Sequence, residues 1–179
     1  MPRIVLRPMP VPPIREGAIT VGTADGFPFS YEGRQAFIDG LPVGQDAIGS
    51  DLLQAVEDAL SPVFGGDWST PLKVLSGLNP RSVNRDRIVK RGLPVDTLIV
   101  IGRVSELGAD LNCPRAAGDL VLGLARLADQ RAMGTGFGPV TTKIPNRTEM
   151  LVEADVILRR AVDIVADYRT GRINLDRPT

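Results

Sequence analysis

The stretch that decides the predicted fold runs from Thr97 to Val104 and reads Thr-Leu-Ile-Val-Ile-Gly-Arg-Val. Its first part is a continuous aliphatic and β-branched run, with the length typical of a strand that is covered on both faces. Arg103 interrupts this run, and Gly108 and Asp110 indicate a loop after it. We therefore predict a buried central strand over residues 97–104, followed by a loop over residues 105–113.

A long helix is predicted directly after this loop, over residues 114–133. Pro114 suits the first helical position, because the N–H that proline lacks has no partner there in any helix. Leu120, Leu124 and Leu127 then recur at helical spacing and form an apolar stripe. We expect this helix to cover the central strand.

The residues between 18 and 44 carry the signals of short antiparallel strands. Asp25-Gly26 is a turn pair, and Glu32-Gly33 has the length of a two-residue hairpin loop between two apolar runs. A shorter helix is predicted over residues 50–61, because Pro62 is expected to end it. The segment 81–91 is expected to be a short basic helix that ends at Gly92.

A second long helix is predicted over residues 147–169. Asn146 and Glu149 have the spacing of a capping box at its start, and Gly171 supplies a stop. Together these elements predict an α+β fold, with a mostly antiparallel sheet packed by two long helices and one shorter helix.

We predict a single domain over residues 18–171, between an N-terminal arm and a polar tail. Residues 1–17 contain five prolines and are expected to be an extended arm that lies on its own domain or reaches over a neighbour. Ile4 to Leu6 would form a short edge strand in the first case. Residues 172–179 lack a core pattern and are expected to be a polar tail.

The composition excludes several kinds of chemistry. The chain has no histidine, so the Ser-His-Asp and Cys-His arrangements and histidine-ligated metal sites are excluded. Its single cysteine permits no intrachain disulfide, which favours a reducing, cytoplasmic location. No apolar run approaches the length of a membrane span, about 18 residues. We therefore expect no metal, no cofactor and no membrane partner.

The charges are balanced overall and separated along the chain. There are 21 basic and 21 acidic residues. Residues 25–67 carry eight acids and one base, Arg34, whereas residues 73–103 carry seven bases and two acids. The two blocks would pair within one domain, remain as solvated faces, or form a head-to-tail interface between subunits. The candidate interface residues are Arg81, Arg85, Arg87, Lys90 and Arg91 on the basic side and Asp46, Asp51, Glu57 and Asp58 on the acidic side.

These observations favour a non-enzymatic assembly subunit, in a homo-oligomer or a larger complex. Oppositely charged surfaces and an extended arm are features by which copies of a chain hold one another, and phage head or tail proteins are one class with this character. Such a particle would be made in the cytoplasm.

Two other functions stay open at this point. Cys113 lies just before a predicted helix, and Arg115 comes two residues after the cysteine; both features would lower the pKa of the Cys113 thiol. The protein would then be a small cytosolic enzyme with its pocket at the 105–113 loop, in which Cys113 is the nucleophile and Asp110 transfers protons. Alternatively, the segment 81–91 would contact a nucleic-acid backbone, although it lacks the aromatic residues of a base-stacking surface.

Overall fold

The computed structural model describes residues 2–7, 14–134 and 158–159, and for residues 127–134 it describes the backbone only. The chain divides into two units, residues 1–125 and residues 126–179. The sheet and the site below belong to the first unit. Leu158 and Arg159 are helical, and the rest of the helix predicted over 147–169 lies outside the described residues. The tail predicted over 172–179 does so as well.

Five short strands form an antiparallel meander, in which each strand pairs with its neighbours along the chain. The strands are β1 (Ile4–Leu6), β2 (Ile19–Ala24), β3 (Phe27–Glu32), β4 (Gln35–Ile38) and β5 (Leu41–Val43). Asp25 and Gly26 both have positive φ, 52° and 85°, which matches the right-handed twist of the strands they join. The predicted α+β class with an antiparallel sheet is confirmed.

Part of the predicted N-terminal arm belongs to this sheet. β1 pairs with β2, and the Arg3 N–H donates to Asp25 Oδ1 at 2.8 Å. Further on, Arg15 Nε lies 2.8 Å from Glu32 Oε2, and its guanidinium stacks over the Phe37 ring at 4.8 Å. Both described ends of the arm therefore lie on the chain's own sheet, and residues 8–13 lie outside the described residues.

The other regular elements of the described chain are helices. They are α1 (Gln45–Phe64), α2 (Ser69–Ser76), a 3₁₀ helix (Pro80–Val83), α3 (Arg85–Arg91), α4 (Val95–Asp110) and α5 (Pro114–Gly134). α5 confirms the helix predicted over 114–133. α1 is longer at both ends than the predicted 50–61, because Pro62 is accommodated in its last turn and the helix ends at Gly65 instead. Gly65 has φ +87° and donates its N–H to the Ser61 carbonyl at 2.9 Å.

The strand predicted over 97–104 is wrong, because these residues lie within α4. Leu98, Ile101 and Val104 are buried at intervals of three residues, which is the spacing of a helical face. A short apolar run cannot be assigned to helix or strand by periodicity alone, and burial outweighs the small helix penalty of β-branched residues. The start signals that favour the helix are Pro94 just before it and Asp96 in its first turn.

The core lies between the sheet and the helices α1 and α4. α1 contributes Ile48, Leu52, Val56 and Leu60, each at most 1% exposed. On another side of α1, Gly49 lies so close to the Val89 carbonyl of α3 that an added Cβ would collide with the oxygen. This approach of two backbones fixes α3 against α1.

Gly49→Ala is therefore expected to lower the free energy of unfolding by about 1–3 kcal/mol, because the new methyl group pushes α3 away. Gly123→Ala is the matched control, since Gly123 is also helical and, apart from the backbone of its own helix, no atom of the described residues lies within 4 Å of its Cβ position. That control is expected to raise the free energy of unfolding by about 0.5–1 kcal/mol. Urea denaturation followed by circular dichroism measures both, and equal effects of the two substitutions would contradict the close approach.

Candidate anion-binding site

α3 owes its position to contacts at both ends. At its start, Asn84 Oδ1 accepts a hydrogen bond from the Asp86 N–H at 2.9 Å. At its end, Gln45 Nε2 of α1 donates to the carbonyls of Ile88 and Val89, each at 3.1 Å. These carbonyls belong to the last turn, where helices lack internal donors. These contacts to Gln45 therefore hold the end of α3 beside the start of α1.

Arg85 joins the two charge blocks inside one chain. Its Nε lies 2.7 Å from Glu57 Oε1 of α1, and its guanidinium donates to the Gly66 carbonyl at 3.3 Å. The same guanidinium lies 5.3 Å from the centre of the Trp68 ring, a cation–π contact. Arg85 and Glu57, both predicted to meet a neighbouring subunit, are thus engaged with each other.

The other four cations of the basic segment are exposed: Arg81, Arg87, Lys90 and Arg91. Within the described part of the chain, none of their side chains forms a hydrogen bond or an ion pair. Four exposed cations on eleven residues, with Asp86 as the one acid among them, give this surface a strong positive potential. We refer to these four residues as the basic surface.

A cleft of about 630 Å³ lies between the sheet and the segment that leads through α3 into α4. On the sheet side, it is lined by Gly17, Ile19, Tyr31, Gly33 and Arg34. On the helix side, it is lined by Leu78, Ser82, Arg87, Arg91, Gly92, Leu93, Pro94 and Val95. Arg87 and Arg91 are one helical turn apart, so both can reach the same space. A shallower depression of about 350 Å³ is also lined by Arg87 and Arg91, together with Arg81, Asn84, Asp86 and Lys90.

Three guanidinium groups therefore surround the cleft. Arg34 comes from the turn between β3 and β4, and Arg87 and Arg91 come from α3. Glu32, the acid nearest to Arg34 in sequence, is paired with Arg15. Among the residues the structure describes, no acidic side chain neutralises any of the three. The concave surface focuses their field, which favours the binding of an anion.

Tyr31 lines the cleft and carries a buried polar group. The residue is 3% exposed, and its hydroxyl is buried without a hydrogen-bond partner in the described part of the chain. Its ring packs edge-on against Phe29, with the ring centres 5.2 Å apart. Burial raises the pKa of the Tyr31 phenol well above its usual range, so the group stays protonated and can donate a hydrogen bond at neutral pH.

The acidic residues predicted for the interface all lie on α1. Asp46 and Asp58 are exposed, and Gln54 Nε2 donates to Asp58 Oδ1 at 2.8 Å. Asp51 is half-buried, and its Oδ2 is one of the buried side-chain atoms for which the described residues provide no partner. The acidic residues therefore lie on the helix that packs beside the basic segment, and not on a distant side of the fold.

The structure does not assemble the predicted thiol site. α4 continues to Asp110, so the loop expected over 105–113 is only the three residues 111–113. Cys113 is exposed and lines neither of the clefts described above. The Arg115 guanidinium lies against Gly65 at the end of α1, where a cation stabilises the helix dipole. Neither of the clefts described above, which lie among the described residues, is lined by Asp110, Cys113 or Arg115.

Over residues 2–7, 14–126 and 158–159, no group of three or more His, Cys, Asp or Glu side chains is arranged to hold a metal ion. None of the helices in the described part of the chain is long and apolar enough to cross a membrane.

Comparison with known proteins gives no family for this chain. No family model, curated protein or solved structure matches it. The candidate site therefore stands on its own geometry. Sequence reasoning missed Tyr31, Ser82 and the wall formed by residues 93–95. The sequence offered one indication of this site, namely that Arg34 is the single base among the eight acids of residues 25–67.

Removing the Tyr31 hydroxyl tests whether it is unpaired. Tyr31→Phe is expected to raise the free energy of unfolding by about 1 kcal/mol, because a buried hydroxyl without a partner costs its desolvation and gains nothing in return. Urea denaturation of the ligand-free protein is the measurement. A loss of stability instead would show that the hydroxyl has a hydrogen-bond partner in the folded chain.

Proposed function

We propose that this chain is a non-enzymatic assembly subunit, and that copies of it associate through the basic surface and the acidic face of α1. The single observation that supports the proposal best is that Arg81, Arg87, Lys90 and Arg91 are exposed and lack ion-pair partners within the described residues. Like charges grouped in this way repel one another, and an acidic partner would remove that repulsion while selecting against wrong partners.

The acidic side of the proposed contact consists of Asp46 and Asp58, which are exposed on α1 about three helical turns apart. Because α1 and α3 pack side by side and antiparallel, these acids lie on the helix next to the basic surface. A head-to-tail contact, as expected from the sequence, needs them on opposite sides of the subunit. Adjoining faces suit a two-fold contact better, in which each basic surface meets the acidic face of the other copy.

The N-terminal arm has a smaller part in this proposal than the sequence suggested. Residues 4–6 and residue 15 contact the chain's own sheet, so an arm that leaves the domain to embrace a neighbour is supported at neither described end. A phage head or tail is one kind of assembly that would use such a subunit. An enzyme centred on Cys113 has no supporting cleft among the residues that the structure describes, and nucleic-acid binding is the rival explanation of the basic surface.

Charge reversal tests the proposed contact. At low salt we expect the native mass to exceed that of one chain, and at about 1 M salt, where the Debye length is about 3 Å, we expect a monomer. The double substitution Arg81→Glu with Lys90→Glu is expected to abolish association, because it sets acid against acid. Adding Asp46→Arg and Asp58→Arg to the same chain is expected to restore it. Light scattering coupled to size-exclusion chromatography gives the masses.

Arg103→Glu is the matched control, since Arg103 is exposed on α4 and lies outside the basic surface. It is expected to leave the native mass unchanged. A protein that is monomeric at low salt and high concentration contradicts the proposal. So does tight, salt-sensitive binding of duplex DNA or RNA by the monomer, which would assign the basic surface to nucleic acid.

A further inference from the structure

We propose that the cleft between the sheet and α3 is a binding site for a small organic anion, with a carboxylate or phosphate group carried on an apolar body. This site overlaps the proposed assembly contact, because Arg87 and Arg91 belong to both. The two sites differ in Arg81 and Lys90, which belong to the basic surface and do not line the cleft, and in Arg34, which lines the cleft and lies outside the basic surface.

The charge of the ligand follows from the three arginines. Arg34 on one wall and Arg87 and Arg91 on the other lie around one concave space without a neutralising acid in the described residues. Each guanidinium offers a planar pair of donors that fits two oxygens of a carboxylate or a phosphate. Two of them stand one helical turn apart, so they can hold the anionic group from adjacent directions.

The apolar body of the ligand follows from the rest of the wall. Ile19, Leu78, Leu93, Pro94 and Val95 line the same cleft. A cleft of about 630 Å³ falls within the ordinary range for small organic ligands, roughly 300–1,000 Å³. An inorganic ion would contact the arginines only and would leave the apolar wall exposed to water.

The Tyr31 hydroxyl is an independent indication of a ligand. It belongs to a residue of the cleft wall, it is buried, and it has no hydrogen-bond partner among the described residues. Buried polar groups are nearly always paired, so an unpaired one beside a cleft is explained if a bound ligand supplies the partner. The hydroxyl is buried in the ligand-free structure, so the wall of the cleft must shift for a ligand to reach it; the protonated phenol would then donate to an oxygen of the anionic group.

Binding can be tested with simple probes on the full chain. Phenyl phosphate and 3-phenylpropionate each combine one anionic group with an apolar ring, and they distinguish a phosphate ligand from a carboxylate ligand. We expect at least one to bind saturably, with a dissociation constant on the order of 0.1–1 mM. Inorganic phosphate has the anionic group without the ring, and benzyl alcohol has the ring without the anionic group. Each is expected to bind at least about ten times more weakly. Isothermal titration calorimetry measures all four.

Substitutions locate the binding. Arg34→Gln and Arg91→Gln are each expected to lower the affinity for the probe about tenfold, because each removes a charge-assisted hydrogen bond. Lys90→Gln is the matched control, since it makes the same charge change on α3 outside the cleft, and it is expected to leave the affinity unchanged. Tyr31→Phe is expected to weaken binding about threefold or more while the ligand-free fold stays intact.

The outcomes separate this proposal from the assembly contact. Loss of binding in Arg34→Gln with an unchanged native mass supports the cleft site, whatever the result of the charge-reversal experiment. Failure of both ring-bearing probes to bind overturns it. An equal loss in Lys90→Gln also overturns it, because the effect is then one of general charge. Binding of an acidic peptide with no binding of the small probes assigns the cleft to a partner chain and likewise overturns it.

Discussion

The packing of α3 against α1 is the constraint on which the candidate site depends. A helix of seven residues is not stable in water by itself, so its position must come from its neighbours. Gly49 permits the close approach of the Val89 carbonyl, and Gln45 supplies the donors that the end of α3 lacks. With α3 held in this way, Arg87 and Arg91 lie across the cleft from the β3–β4 turn.

The charges of this molecule cancel over the whole chain but not within the basic segment 81–91. Over the whole chain the formal charges cancel, so no general affinity for polyanions is expected. Within the first unit, Arg85 is paired with Glu57 and stacked on Trp68, which links α3 to α1 and to the start of α2. The remaining cations of the basic segment are left without partners in the described residues. It is this local excess, and not the composition, that motivates both proposals.

The sequence predicted some elements well and others poorly, for identifiable physical reasons. The first strands and their turn were predictable because Asp25-Gly26 favours positive φ, a local property of those two residues. The second turn, predicted at Glu32-Gly33, lies one residue later, because Glu32 pairs with Gln35 within the sheet. α5 was predictable because Pro114 and a long periodic stripe agree. The stretch 97–104 was assigned to a strand because eight mostly apolar residues are too few to reveal a period, and its burial depends on distant residues. Because of this error, a pocket was predicted at a loop over residues 105–113, whereas the chain is helical up to Asp110.

By itself, the sequence determined the short antiparallel strands between residues 18 and 44, the long helix that begins at Pro114 and the separation of charge along the chain. Each of these depends on residues that are close together in sequence, where sterics and hydrogen bonds act within a few bonds. Only the tertiary structure decided which charges meet. Glu57 and Arg85 are 28 positions apart in sequence, yet they form a salt bridge. Arg34 and Arg91 are even further apart, yet both line the same cleft. Such encounters follow from how α1, α3 and the sheet pack, which no local pattern encodes.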